Sequence, residues 1–409
     1  MGGRIRNVIL AVAGVALFWL SLASAVSLVL GGNNPALSVR LGLPSAEAKA
    51  AQALEIVSRP PSSPEQIRRA SRLAQAALRR EPGNVVAIVV LGTVASLQKR
   101  DDLAAGLFAY SERLSRHNTI TQLWLIENRV GAGDIGGALI HYDRLMSVKP
   151  AYRQTLIPIL VQASSDPAVS RILAGVMARR PPWWTDALVP LIFQSANPIV
   201  TLPILMQRLR LDASQSAERP LIAAAITRLA GAGAFDEAYT LYLRSGGTRL
   251  VGSEHVRNGG FEAGNRLPPF DWELYNEDGR AAVIQPHQTG GSGKSLFLYV
   301  DPDHPGVLAR QLLLLAPGSY RLSVESGNIG RDEPERPQLR ISCAAGTEGT
   351  PFLNFHLPVS DEAGGRTRSD FTVPTGCSAQ WLSLASGPGS GVQDSPPWID
   401  AVSIQPRGQ

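Results

Sequence analysis

The sequence predicts a multidomain α + β chain: an N-terminal transmembrane helix, an α-helical repeat solenoid and a C-terminal antiparallel β-sandwich. Three observations carry this. An uncharged apolar run occupies residues 8–30; Ala, Leu and Arg then recur at helical spacing to about residue 247; and from Asn258-Gly259-Gly260-Phe261-Glu262 onward short β-rich runs alternate with Gly, Pro and Asp. The expected divisions are 1–32 for the membrane segment, 33–60 for a linker and first helix, 61–247 for the helical repeats and 250–406 for the sandwich. A chain of 409 residues has material for two or three separate cores.

In the N-terminal segment, Arg4 and Arg6 precede the uncharged run and the next charge is Arg40. The run spans 23 residues (30 − 8 + 1), and about 20 helical residues cross a bilayer core. Basic residues in front and none behind place the N-terminus in the cytoplasm and the bulk in a bacterial periplasm, as a single-pass inner-membrane protein. Ala23-Ser24-Ala25 also fits a signal-peptidase site, so a cleaved signal is the alternative. An oxidising destination allows Cys343 and Cys377 to pair, and two cysteines are too few for a zinc site built of cysteines. Net charge is +5, but the basic residues are scattered without interleaved aromatics, which argues against nucleic-acid binding.

The helical region contains an internal repeat. Ile67, Ala70, Ala74, Leu78 and Pro82 match Ile135, Ala138, Tyr142, Met146 and Pro150 at an offset of 68, twice 34. Further copies start near Asp102 and Gly233. The small residue, the aromatic and the closing proline at this period resemble a divergent tetratricopeptide array. That resemblance implies stacked helix pairs with a surface for a protein partner; the alternative is an irregular helical spacer. Residues 163–220 fit the pattern poorly, and Arg179-Arg180-Pro181-Pro182-Trp183-Trp184 interrupts it. The two tryptophans could fill a buried corner between repeats, anchor at a membrane or stack on a sugar. Gly131-Ala132-Gly133-Asp134-Ile135-Gly136 satisfies a dinucleotide fingerprint but follows a helix rather than a strand, at an inter-helix turn. Gly293-Lys294-Ser295 lacks the first glycine of a phosphate-binding loop and precedes a strand.

Candidate strands in the last third are 280–285, 295–300, 307–315, 319–325, 338–343, 352–359, 368–373, 380–385 and 398–404. Tyr320, Leu322 and Val324 alternate with Arg321, Ser323 and Glu325, and Leu339, Ile341 and Cys343 with Arg340 and Ser342. Many short strands with polar turns indicate a two-sheet sandwich.

Asn258–Glu262, Trp272, Gly293–Leu296, Leu315–Ser323 and Trp398–Val402, in that order, resemble the jelly-roll carbohydrate-binding modules of the family 4/9 type, within the galactose-binding-like group. The resemblance implies a glycan or polysaccharide partner. It also implies that Glu262 and Asp400 hold a structural calcium, with a hydrogen-bonded seam as the alternative. Sugar rings stack on aromatic faces, and the candidates are Trp381, Trp272, Tyr275 and Tyr299, with Phe355 and Trp398 behind them. Trp381 is the foremost, because it lies on the opposite side of its strand from Leu382 and Leu384.

No catalytic constellation emerges. The histidines lack metal-ligand spacing, and Asp301-Pro302-Asp303-His304 reads as a loop. The expected function is therefore a non-catalytic envelope protein joining a protein-binding arm to a glycan-binding sandwich, in assembly or export of a surface polysaccharide. The alternative is an assembly scaffold whose sandwich binds protein. A polysaccharide-processing enzyme would need a carboxylate pair in a cleft.

Overall fold

A computed structural model describes residues 45–407, except 60–62, 251–253, 265, 278, 288–292, 302, 333–334, 346–349 and 388–394. Among the described residues no helix is long and apolar enough to cross a membrane. The expected single-pass inner-membrane placement is corrected accordingly, since the described residues do not support it; the expected span at 8–30 lies outside them. The chain divides into two compact units, one of Met1–Leu156 with Pro181–Trp183 and the other of Ile157–Arg180 with Trp184–Gln409.

In the first unit, α1 (Ala46–Val57), α2 (Pro64–Leu78) and α3 (Val85–Leu97) pack through a core of small side chains. Ala50, Ala53, Ala70, Ala74, Ala77 and Ala87 are fully buried there, which lets the helix backbones approach closely. Next come α4 (Asp101–Leu114), α5 (Thr119–Gly131) and α6 (Ile135–Val148). Phe108 of α4 stacks on Trp124 of α5 with centroids 4.5 Å apart. Gly92 makes room for that ring, since a Cβ there would stand 3.0 Å from Phe108. Helix starts are fixed by side-chain caps: Ser63 and Gln66 form a reciprocal capping box, and Asn84, Asn118 and Asp134 each accept from a backbone N–H three residues on.

Lys99, Gly133 and Gly233 each sit at a turn between two helices, with φ of 58°, 73° and 77°. Gly133, the middle glycine of the apparent dinucleotide fingerprint, thus serves a left-handed turn between helices, while Gly131 and Gly136 lie in α5 and α6, and Asp134 caps the helix that follows.

Where the sequence pattern fades, helices continue: α7 (Arg153–Ala163), α8 (Pro167–Met177), α9 (Trp184–Gln194) and α10 (Pro198–Leu209), then α11 (Arg219–Gly231) and α12 (Phe235–Arg244). The Arg179–Trp183 stretch falls between α8 and α9. Pro158, Pro190 and Pro203 lie inside α7, α9 and α10, so the usual proline stop signal misleads there. Trp183 is fully buried, and its indole N–H donates to Asp143 Oδ1 at 2.9 Å. Trp184 is half-buried, with the Arg180 guanidinium 4.1 Å above its ring.

The last helix ends at Arg244 and the strands begin at Glu273. They are β1 (Glu273–Leu274), β2 (Asn276–Glu277), β3 (Arg280–Pro286), β4 (Lys294–Val300), β5 (Gly306–Leu313), β6 (Gly318–Gly327), β7 (Gln338–Cys343), β8 (Leu353–His356), β9 (Gly365–Val373), β10 (Gln380–Ser386) and β11 (Trp398–Pro406). They form a five-stranded sheet, β1-β5-β10-β7-β8, and a six-stranded sheet, β2-β3-β4-β11-β6-β9, with every pairing antiparallel. Side chains alternating inward from both sheets make the core, including Leu298, Leu322, Val324, Leu339, Ile341, Phe371, Leu382 and Leu384. Cys343 and Cys377 are joined by a disulfide across 34 residues, as the sequence allows.

The opening motif closes one end of this core. Phe261 is buried against Trp272, with ring centroids 5.6 Å apart. Gly259 lies so close to the last strand that a Cβ would meet Val402 O at 1.8 Å, and its carbonyl accepts the Val402 N–H at 2.9 Å.

Candidate functional site

Strand order β1-β5-β10-β7-β8 brings one residue from each strand into register. Glu273 faces Arg310, Arg310 faces Ser383, Ser383 faces Arg340 and Arg340 faces Asn354. Directly paired residues share a face. Their neighbours Leu382, Leu384, Leu339, Ile341 and Leu353 point into the core, so the row lies on the outer face. It crosses five strands, about 19 Å at about 4.8 Å per step.

Two aromatic side chains frame Arg310 on that face. Its guanidinium lies 4.4 Å from the Trp381 ring centroid and 5.6 Å from that of Tyr275. Glu273 fixes the cation, accepting from Arg310 Nε at 2.6 Å. Trp381, two residues before Ser383 and beside Ser342 of β7, is half-buried. Burial, then the Glu273 carboxylate, push the Tyr275 phenol up to about 12, so it stays protonated and can donate and accept hydrogen bonds. The face therefore carries two half-buried aromatic rings, each with the Arg310 guanidinium over one side, beside a line of donors and acceptors from Arg340, Asn354, Ser342 and Ser383.

The other two aromatic candidates fall elsewhere. Trp272 is only 2 % exposed and packs in the core against Phe261. That is a correction, since no ligand ring can reach its face. Tyr299 is exposed, but on β4 of the six-stranded sheet, where its hydroxyl bonds Gln285 at 3.2 Å. Phe355 packs against the core, and Trp398 is buried on the outer side of the six-stranded sheet, paired with Phe297 and edge-on to His287. Outward alternation on β7 marks Arg340 in the sequence, whereas no local pattern singles out Glu273, Asn354 or Arg310, the last beside Gln311 in a largely apolar run.

Glu262 and Asp400 converge on the seam between the opening motif and the last strand, but each is already engaged. Glu262 Oε1 accepts the Lys294 N–H at 2.8 Å. Asp400 Oδ1 accepts the Ala401 N–H at 2.6 Å, and Ser295 Oγ lies 3.5 Å from Oδ2. Burial, and the Glu325 and Glu262 carboxylates, push the Asp400 carboxyl above its usual range against the pull of the Ala401 N–H. Calcium takes six to eight oxygens, and among the described residues no group of three or more His, Cys, Asp or Glu could hold a metal. Each of the two carboxylates is held by a backbone N–H, Glu262 by that of Lys294 and Asp400 by that of Ala401.

Asp301, Asp303 and His304 lie between β4 and β5. His304 N–H donates to Asp301 O at 3.0 Å, and the imidazole packs against Gly279, where a Cβ would stand 2.3 Å from Nδ1.

No protein-family model and no curated protein matches the chain. Among solved structures, one described as "CBM4 structure and function" is 16 % identical, covers 37 % of this chain and 99 % of its own, and has a TM-score of 0.28. The CBM22-1 xylan-binding domain from Paenibacillus barcinonensis Xyn10C is 11 % identical, with 39 % and 97 % covered and a TM-score of 0.28. A cyclase from Fischerella sp. TAU is 17 % identical, with 39 % and 100 % covered and the same TM-score, 0.28. At these scores the similarities carry no argument, and the functional reading rests on this chain's own geometry.

Proposed function

We propose that the sandwich is a non-catalytic glycan-binding module whose platform is the outer face of the five-stranded sheet. The observation that carries the reading is the five-strand polar row Glu273–Arg310–Ser383–Arg340–Asn354 with Trp381 and Tyr275 beside it. A pyranose has one apolar face and a rim of hydroxyls. The aromatic rings suit the face, and the arginine, serine and asparagine side chains suit the rim. The row holds one carboxylate, Glu273, already paired to Arg310, whereas glycoside cleavage calls for two. That supports binding over turnover.

The helical half is read as a tetratricopeptide-like arm for a protein partner. Helix starts at 85, 119 and 153 (119 − 85 = 34; 153 − 119 = 34) support the period. A cavity of about 420 Å³ between α10, α11 and α12, floored by Met206, Ile222, Leu229 and Leu241 with Asp236 and Glu237 at its rim, supports a docking role. Assembly or export of a surface polysaccharide is the setting that joins the two activities. The first test is a glycan array of plant, bacterial and algal polysaccharides probed with the folded chain. Retention on at least one polysaccharide supports the reading; no retention on any moves it to a protein-binding scaffold.

A further inference from the structure

Along β6 the inward positions run Tyr320, Leu322, Val324 and then Ser326; along β9 they run Phe371, Ser369, Thr367 and Gly365. At this end of the sandwich hydroxyls replace the apolar core. Ser326 is 1 % exposed, and among the described residues its Oγ has no hydrogen-bond partner; Thr367 Oγ1 and Ser360 Oγ are likewise buried and without a partner among them. All three line one solvent-open cavity of about 330 Å³, walled by the segment after β8 with Pro358, Val359 and Asp361, of which Val359 and Asp361 are exposed. Behind Gly364, where a Cβ would stand 2.6 Å from the Trp398 ring, the indole N–H is also unpartnered.

Buried polar groups are ordinarily satisfied, and several orphans facing one cavity mark a missing occupant. The volume lies at the lower end of the ~300–1,000 Å³ typical of ligand sites. No lysine, arginine or histidine lines the cavity, and the Asp361 carboxylate stands at it, so an anion is disfavoured. Hydroxyls both donate and accept, which matches a ligand whose own groups are hydroxyls, while Pro358 and Val359 supply an aliphatic wall.

We propose that this chamber is a second binding site, for a small neutral polyol such as a single sugar residue, separate from the sheet-face platform and independent of it. The β6–β9 end of the core closes around the ligand's hydroxyls, with Ser326, Ser360 and Thr367 as its partners.

The test uses the full chain with D-glucose, D-galactose, D-mannose and glycerol as probes at millimolar concentration, read by saturation-transfer NMR and calorimetry. Gly365→Leu fills the chamber; a Cβ at Gly365 meets nothing within 4 Å, so the variant keeps its fold. The double variant Ser360→Ala with Thr367→Val removes two partners without changing shape. At least one probe is expected to bind wild type, to be lost in Gly365→Leu, to weaken about tenfold or more in the double variant, and to persist in Trp381→Ala. Absence of binding by every probe means the chamber holds only water and overturns the proposal. So does binding that survives Gly365→Leu. Loss of probe binding in Trp381→Ala alone assigns it to the sheet face and overturns the chamber, while polysaccharide binding failing with probe binding intact overturns the platform alone.

Discussion

Tyr242→Phe probes how the last helix is tied to the sandwich. Tyr242 is fully buried on α12, and its hydroxyl donates to Asp271 Oδ1 at 2.7 Å while accepting the Thr248 N–H at 3.0 Å. The other Asp271 oxygen accepts the Arg266 and Leu267 N–H groups. The Arg257 guanidinium lies 5.3 Å from the Tyr239 and Tyr242 rings and 5.5 Å from Phe270, and its backbone N–H bonds Gln311 of β5 at 2.9 Å. Burial, then Asp271, push the Tyr242 phenol far above its ordinary value, so the hydroxyl keeps its proton at alkaline pH. Phenylalanine keeps the shape and opens no cavity. The loss is one charge-assisted hydrogen bond and one stranded backbone donor, together about 2–3 kcal/mol. Native-state hydrogen exchange on the full chain reads this directly. Protection of α12 and of β5 amides is expected to fall together, by roughly 30- to 160-fold. A fall confined to α12, with β5 unchanged, would refute the reasoning, because the helix would then be a separate piece.

Other perturbations have equally defined outcomes. Replacing Cys343 and Cys377 by serine opens a 34-residue loop, and urea unfolding of the sandwich is expected to show a loss of about 3–4 kcal/mol; a loss below about 1 kcal/mol would contradict the chain-entropy account. Gly259→Ala drives a methyl into the Val402 carbonyl and is expected to cost about 3 kcal/mol or more; a melting temperature unchanged from wild type would show that the seam is loose. The folded Asp400 carboxyl holds its proton more tightly than the unfolded one, so its ionisation costs stability. That cost is absent below the ordinary 3.8 and grows as pH rises through the raised value. Asp400→Asn is therefore expected to raise the melting temperature at neutral pH and to lose that advantage at the acid end. Added calcium is expected to leave wild-type melting unchanged, and a calcium-dependent rise abolished by Asp400→Asn would reinstate the metal.

Local periodicity made much of this fold legible. Tyr320, Leu322 and Val324 alternate inward as read, and Ala70, Ala74 and Ala138 occupy buried helix contacts at the repeat period. What stayed hidden depends on non-local pairing. The polar row exists only because β5 lies between β1 and β10, and β7 between β10 and β8, an order that neighbouring residues do not encode. Aromatic type alone could not separate Trp272, in the core, from Tyr275 three residues on, nor reveal that Tyr299 belongs to the other sheet. Pro158, Pro190 and Pro203 inside helices defeated the stop-signal rule, because tertiary packing sustains helix around a missing donor. The hydroxyls of Ser326 and Thr367 looked like ordinary strand polarity until the register turned them inward.

The central claim is that the five-stranded face, and not another part of the surface, holds glycan. Affinity electrophoresis of the full chain in gels containing the polysaccharide retained on the array, comparing wild type with Trp381→Ala and Tyr299→Ala, tests it most directly. Removing the ring beside Arg310 is expected to weaken binding by about 1.5–3 kcal/mol, roughly 10- to 160-fold, while Tyr299→Ala migrates as wild type. Equal retention of Trp381→Ala and wild type, or loss in Tyr299→Ala alone, would contradict the account.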